Sequence, residues 1–256
     1  MLISLLSTAL LLWGVMSIAW FAVVKTGHAS IVDVAWTIGL GLAGLLLCGL
    51  VGEMTARQSC VGGMVLLWSV RLAVALSRRA IGHPEDARYT ALRQQWGAAF
   101  HRRLYGFLLL QAVAAEALLI SVAAAASVRA PLHSSDIIAL CVMLVALAGG
   151  TCADEQMRRF KQHPENIGKI CDVGLWSRSR HPNYVCEVLF WCGYPLLAWS
   201  GGWSAFVVGV SGPLLIYWFL RYVSGVPPLE AHLQRRYGAL FEQYCRQTPI
   251  FFPRLF

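Results

Sequence analysis

The sequence predicts an all-α integral membrane protein of seven transmembrane helices, and three observations carry that prediction. Hydrophobic residues make up 57% of the 256-residue chain and charged residues only 13%, about half of the roughly 25% that a water-facing domain carries. The mean hydropathy is +0.59. Apolar runs long enough for about 30 Å of hydrocarbon recur at 2–24, 31–52, 60–77, 104–127, 136–152, 183–200 and 203–223. Disorder, a coiled-coil rod and an ordinary soluble enzyme are excluded by the same numbers.

The first run has no basic segment before it and no small-residue cleavage site after it, so it reads as a span rather than a signal peptide. With seven spans, 18 of the 21 Lys and Arg residues fall on one side, among them Lys25, Arg78, Arg79, Arg158 and Arg254, and only Arg57 and Arg129 on the other. Arg71 lies within the third span. Positive charge collects on the cytoplasmic side, which puts the N-terminus outside and the C-terminus and the loops around 78–103 and 153–182 in the cytoplasm. The net charge of +8 therefore belongs to membrane-flanking loops and implies no nucleic-acid partner; the expected partners are membrane lipids and a lipid-like or steroid-like small molecule.

No repeat or linker divides the chain, so it reads as one membrane domain over 1–256, with 1–127 on the substrate side and 136–256 on the cofactor side. Residues 39–44, GLGLAG, match the pattern of a dinucleotide-binding glycine loop. Inside a lipid-length apolar run those glycines serve close helix packing instead. The eight cysteines form no CxxC pair and read as reduced, structural side chains. No metal site is visible.

Polar residues then mark where chemistry is expected. Ionisable groups within spans cost about 2.5–3.5 kcal/mol each on insertion scales, which singles out Arg71 in the third span, Asp33 at the start of the second, and Glu116 in the fourth with Gln111 before it. For Arg71 the alternatives are a structural ion pair or a contact to an anionic ligand; Glu116 reads as structural. The loop PEDARYTALRQQWG gathers Glu85, Asp86, Arg88, Tyr89 and Arg93, either as a solvated amphipathic helix or as a ligand site. The densest constellation is 154–187. Asp154, Arg158 and Lys161 share one helix face, and Arg178, Arg180 and His181 precede Pro182, which suits a first helical turn. Asn183 and Glu187 follow one turn apart. Guanidinium groups beside helix N-terminal amides suit phosphates. In the tail, Tyr237 and Tyr244 fall seven apart on one predicted helix face beside Arg235 and Arg236, an arrangement suited to adenine and its phosphates or to a membrane interface.

The stretch GLWSRSRHPNYVCE, the acid-and-base helix before it and the ending LE…Y…Y…P resemble the C-terminal domain of steroid 5-alpha-reductases and their relatives. SIVDVAW, WSVRL and PEDARYTALRQQWG are similar to N-terminal motifs of a largely bacterial branch of that superfamily. The resemblance implies a seven-helix reductase of the bacterial plasma membrane that holds NADPH on the cytoplasmic side and passes hydride to the activated C=C of an enone. It implies that Arg71, Asp154, Arg158, Lys161, Asn183, Glu187 and Tyr237 bind the cofactor. Arg88 and Arg180 are expected beside its phosphates, with Asp33 or an inward-folded Tyr89 polarising the enone oxygen as the acid. Three positions depart from the steroid enzymes: Trp68 stands for their proton-donating tyrosine, Asp33 for a Gln-Glu pair, and Gly150 for an Asn. Membrane methyltransferases of the isoprenylcysteine carboxyl type share the RHPxY…E element and use S-adenosylmethionine. They are the rival class, as is a non-enzymatic lipid-binding protein. Six bases within 158–180 exceed what a cofactor without phosphates requires.

Overall fold

A computed structural model describes residues 2–51, 55–82 and 84–252; Arg254, counted above in the charge balance, lies outside them. Among the described residues every regular element is helical. Six helical runs are long and apolar enough to cross a membrane: Leu2–Thr26, Ile31–Leu50, Ala56–Ala80, Ala87–Ala126, Ser134–Gln162 and Trp203–Tyr237. The expected span at 183–200 is not one helix. It breaks into α7 (Pro182–Trp191) and α8 (Gly193–Ala198) with a turn at Cys192. Pro195, inside α8, lacks the amide hydrogen that would tie the second piece back to the first. Among the described residues six helical runs, rather than the expected seven, are long and apolar enough to span, and the 183–200 run is not one of them.

By its internal contacts the chain forms two compact units, Met1–Leu140 with Gly193–Gly212, and Cys141–Cys192 with Pro213–Phe256. In the first, α1 (Leu2–Thr26) turns at Gly27 (φ 74°) into α2 (Ile31–Leu50). Helix α3 (Ala56–Ala80) starts on a capping box: Gln58 N–H donates to Thr55 Oγ1 (3.2 Å), and Thr55 N–H donates to Gln58 Oε1 (2.8 Å). The glycine pattern of α2 acts as a packing seam. A Cβ added at Gly41 would lie 2.3 Å from Ser69 on α3, and one at Gly44 2.8 Å from Val65. Only the missing side chains permit that approach, and Ser69 Oγ uses it to donate to the Thr37 carbonyl at 2.8 Å.

Helix α4 (Ala87–Trp96) is capped by Asp86, whose carboxylate accepts from Arg88 N–H at 2.9 Å. It turns at Gly97 (φ 49°) into α5 (Phe100–Ala126). At the start of α6 (Ser134–Gln162) Asp136 is fully buried with Arg57, each 1% exposed. Arg57 also donates to the carbonyls of Ala130 (3.2 Å), Pro131 (2.8 Å) and Leu197 (2.7 Å), and Asp136 receives His133 N–H at 2.7 Å. One guanidinium thus ties the start of α3 to the 130–136 connection and to α8. Helix α9 (Trp203–Gly209) completes the unit, with Ser121 donating to the Gly209 carbonyl at 2.6 Å.

In the second unit the connection 163–181 folds back onto α6. Trp176 Nε1–H donates to the Ala153 carbonyl (2.9 Å) and Leu175 N–H to Gln156 Oε1 (2.9 Å). Helix α10 (Ser211–Trp218) passes through a π-turn at Phe219–Val223 into α11 (Val226–Tyr237) and α12 (Ala239–Gln247). The predicted common face of Tyr237 and Tyr244 does not form, because Gly238 takes φ 52° and breaks the helix between them. Tyr237 keeps Arg236 over its ring at 5.3 Å, whereas Tyr244 turns inward and donates to the Trp176 carbonyl at 2.6 Å.

Candidate functional site

The sequence-predicted residues divide between the units: Asp33, Arg71, Arg88 and Tyr89 belong to the first, and Asp154, Arg158, Lys161, Arg180, Asn183, Glu187 and Tyr237 to the second.

In the first unit the 84–97 segment folds inward, so Tyr89 is only 2% exposed. Its hydroxyl donates to Asp33 Oδ1 at 2.9 Å, and Arg88 Nη2 donates to Asp33 Oδ2 at 2.6 Å. Asp33 therefore accepts through both oxygens, and Tyr89 carries the proton between them. Arg88 is also bound by Asp86 (Nε to Oδ1, 3.0 Å), whose backbone N–H reaches Ser30 Oγ at 2.9 Å. A parallel latch lies beside it. Glu85 accepts from Arg93 (2.9 Å) and from Ala29 N–H (2.9 Å), while Arg93 donates to the Gly27 carbonyl and covers the Phe100 ring at 4.1 Å. Two acid–arginine pairs thus hold the start of α4 against the α1–α2 turn. Burial raises the Glu85 and Asp86 carboxyls, but the hydrogen bonds and charges of Arg93 and Arg88 outweigh it and hold both below the usual carboxylate range. Around this cluster Trp36 Nε1–H donates to the Gln111 carbonyl (3.0 Å) and meets Trp68 edge-on at 6.5 Å. Arg71 and Trp68 are half-buried and buried, respectively. Among the described residues no group of three His, Cys, Asp or Glu side chains is placed to hold a metal ion.

In the second unit Arg180 and His181 converge on Glu230 of α11. Arg180, 9% exposed, donates from Nε to Glu230 Oε1 (2.8 Å), from Nη1 to the Thr248 carbonyl (2.7 Å), and from its backbone to the Pro249 carbonyl (2.9 Å). Its guanidinium is thus committed to fastening the tail. His181, 1% exposed, meets Glu230 Oε1 through Nε2 at 2.9 Å and stacks on Tyr184 at 5.1 Å. Burial lowers its proton affinity more than Glu230 raises it, so near neutral pH Nε2 carries the ring hydrogen and Nδ1 is left as an acceptor. Nδ1 is buried without a hydrogen-bond partner, as is Asn183 Oδ1 in the first turn of α7. Two buried acceptors at one helix N-terminus await hydrogen-bond donors. Arg158, by contrast, lies exposed and paired with Glu155 at 2.6 Å, with Arg159 on the same carboxylate at 2.7 Å. Exposed pairs of this kind contribute little to stability. Asp154 and Glu187 are half-buried and Lys161 is exposed.

Sequence reasoning passed over Arg57, Asp136 and Glu230 as partners. Arg57 carried a signal, being one of two bases on the side where the charge rule disfavours them; Asp136 opens the 136–152 run and Glu230 is the acid of the LE in the tail, but neither position names its partner. Comparison with known proteins adds three results. The chain is similar to Delta(14)-sterol reductase LBR of Gallus gallus, 28% identical over 102 residues that make up 38% of this chain and 14% of that protein. The chain thus spans only a small part of that relative's length. No solved structure matches. The family model described as Protein of unknown function (DUF1295) matches residues 19–248, nearly the whole chain, and the chain belongs to that family.

Proposed function

We propose that the chain is a membrane reductase that uses NADPH to deliver hydride to an activated C=C of a lipid-like or steroid-like substrate, with its basic loops and C-terminus in the cytoplasm. The observation that carries this reading is the similarity to a protein named as a sterol reductase, in a chain built of helices long and apolar enough to cross a membrane. The second unit holds the dinucleotide. Asn183 Oδ1 and His181 Nδ1, both buried acceptors with no partner, suit the amide and hydroxyl hydrogens of a nicotinamide riboside. Glu187 lies one turn further along α7, Asp154, Arg158 and Lys161 meet the phosphates, and Tyr237 lies at the adenine end. Arg71, in the first unit, is a cofactor residue on the family resemblance alone. The bound cofactor supplies the hydride. Arg180 anchors the tail through Glu230, and Arg88 fixes Asp33 as an acceptor. Tyr89 is then the general acid, its hydroxyl hydrogen directed at Asp33 until a substrate is in place.

The test is thermal stability of the detergent-purified protein with NADPH, NADH, S-adenosylmethionine or no addition. A ligand at about 100 times its dissociation constant adds about 2.7 kcal/mol. Stabilisation by NADPH that Asn183→Ala removes is expected. A response to S-adenosylmethionine alone overturns the reading in favour of a methyltransferase, and no response to any of the three overturns it in favour of a non-enzymatic protein.

A further inference from the structure

We propose that the first unit binds a lipid-like ligand through an alcohol or N–H hydrogen that is received by the side-chain oxygen of Gln111. The inference names the polar end of the ligand, and it does not rest on hydride transfer, because binding at this point needs no dinucleotide.

Hydrogen-bond polarity is passed along a chain of side chains here. Arg88 has only donors to offer, and it donates to Asp33 Oδ2 at 2.6 Å. Asp33 Oδ1 accepts from Tyr89 at 2.9 Å, which uses the single proton of that hydroxyl. Toward its other neighbour Tyr89 therefore presents lone pairs only. The Gln111 carboxamide is the neighbour that bonds this hydroxyl, and with the hydroxyl hydrogen already on Asp33 it can do so only through its NH2, which turns its oxygen away. That oxygen, Oε1, is buried and has no hydrogen-bond partner. The backbone carbonyl of Gln111 is already occupied by Trp36 Nε1–H at 3.0 Å, so the residue is fixed from both ends. Buried carboxamide oxygens are nearly always filled, and an unfilled one in apolar surroundings is destabilising. The missing component is a donor.

A ketone, ether or ester brings another acceptor to an acceptor and is disfavoured. An alcohol brings the hydrogen that Oε1 lacks. Because Gln111 lies in an apolar helix and its carbonyl is bonded by Trp36, which meets Trp68 edge-on at 6.5 Å, the rest of the ligand is hydrocarbon. The class is a membrane alcohol. A trapped water is the competing occupant, and it has no preference among lipids.

Dissociation constants measured on the purified full chain in detergent, without dinucleotide, test this with two matched pairs: cholestanol against cholestanone, and geranylgeraniol against geranylgeranial. In at least one pair the alcohol is expected to bind about tenfold or more tightly, since a site built to receive a hydroxyl discriminates strongly against its absence. Gln111→Leu should bring the two members of that pair within about twofold. Tyr89→Phe should do the same by a different route, since it frees the carboxamide to present either end. Equal affinities within both pairs, a preference for the carbonyl compounds, no binding of any probe, or a preference that survives both substitutions overturns the inference. A protein that responds to NADPH but prefers no alcohol loses this site and keeps the reductase reading; one that prefers alcohols and ignores NADPH does the reverse.

Discussion

Replacing Arg57 by Leu should be among the most destabilising single changes in the chain, and the structure gives the size. Arg57 and Asp136 are each 1% exposed, so neither charge can turn to water when the other is lost. Breaking such a pair by removing one partner costs about 3–5 kcal/mol. Arg57→Leu also strips the donor from the carbonyls of Ala130, Pro131 and Leu197, which places it at or above the upper end. Asp136→Asn should cost less, about 2–3 kcal/mol, because an isosteric oxygen remains for His133 N–H and the three carbonyls still surround the guanidinium. The double variant Arg57→Leu/Asp136→Leu leaves no unpaired charge and should be milder than the sum of the single changes Arg57→Leu and Asp136→Leu, by about 0.5–3 kcal/mol. The measurement is equilibrium unfolding in detergent, followed by far-ultraviolet circular dichroism. An Arg57→Leu penalty below about 1 kcal/mol, or strict additivity in the cycle, would refute the reasoning, since either result means that the pair is solvated.

Three further outcomes are expected. Gly41→Val drives a side chain into Ser69, where even a Cβ would lie 2.3 Å away; overpacking of this kind costs about 1–3 kcal/mol, visible as a lowered Tm, whereas Gly63→Ala, with open space around its Cβ, should leave Tm nearly unchanged. Glu85 and Asp86 are held below their ordinary carboxyl values of 4.5 and 3.8, so their contribution is fully present above those values and is lost as pH falls through the lower folded-state values. Melting curves at descending pH should show that loss, and Glu85→Gln/Asp86→Asn should flatten it. Once a substrate is in hand, Tyr89→Phe should lower kcat by about 10²–10⁴-fold with the NADPH-dependent rise in Tm intact; unchanged turnover would remove Tyr89 as the acid.

Composition, run length and local spacing determined much of this protein. They give the helical class, four of the spanning runs nearly to their ends, and the reading of GLGLAG as a packing seam, because hydropathy and glycine spacing act within a few turns of one helix. The same local information placed Asp33, Tyr89, Asn183 and Arg180 on the page as polar residues in apolar or flanking segments. It did not show their partners. Tyr89 meets Asp33 across 56 residues, Arg57 meets Asp136 across 79, and Arg180 meets Glu230 across 50. No periodicity links positions that far apart, so only tertiary packing decides that Asp33 accepts, that Tyr89 holds the proton and that Arg180 is spent on the tail. Tertiary structure likewise broke three elements that hydropathy and spacing had joined. Turns at Cys192 and Val210 divide the 183–200 and 203–223 runs, and Gly238 separates Tyr237 from Tyr244. An apolar run shows which residues avoid water, and it does not show whether the helix they form is continuous.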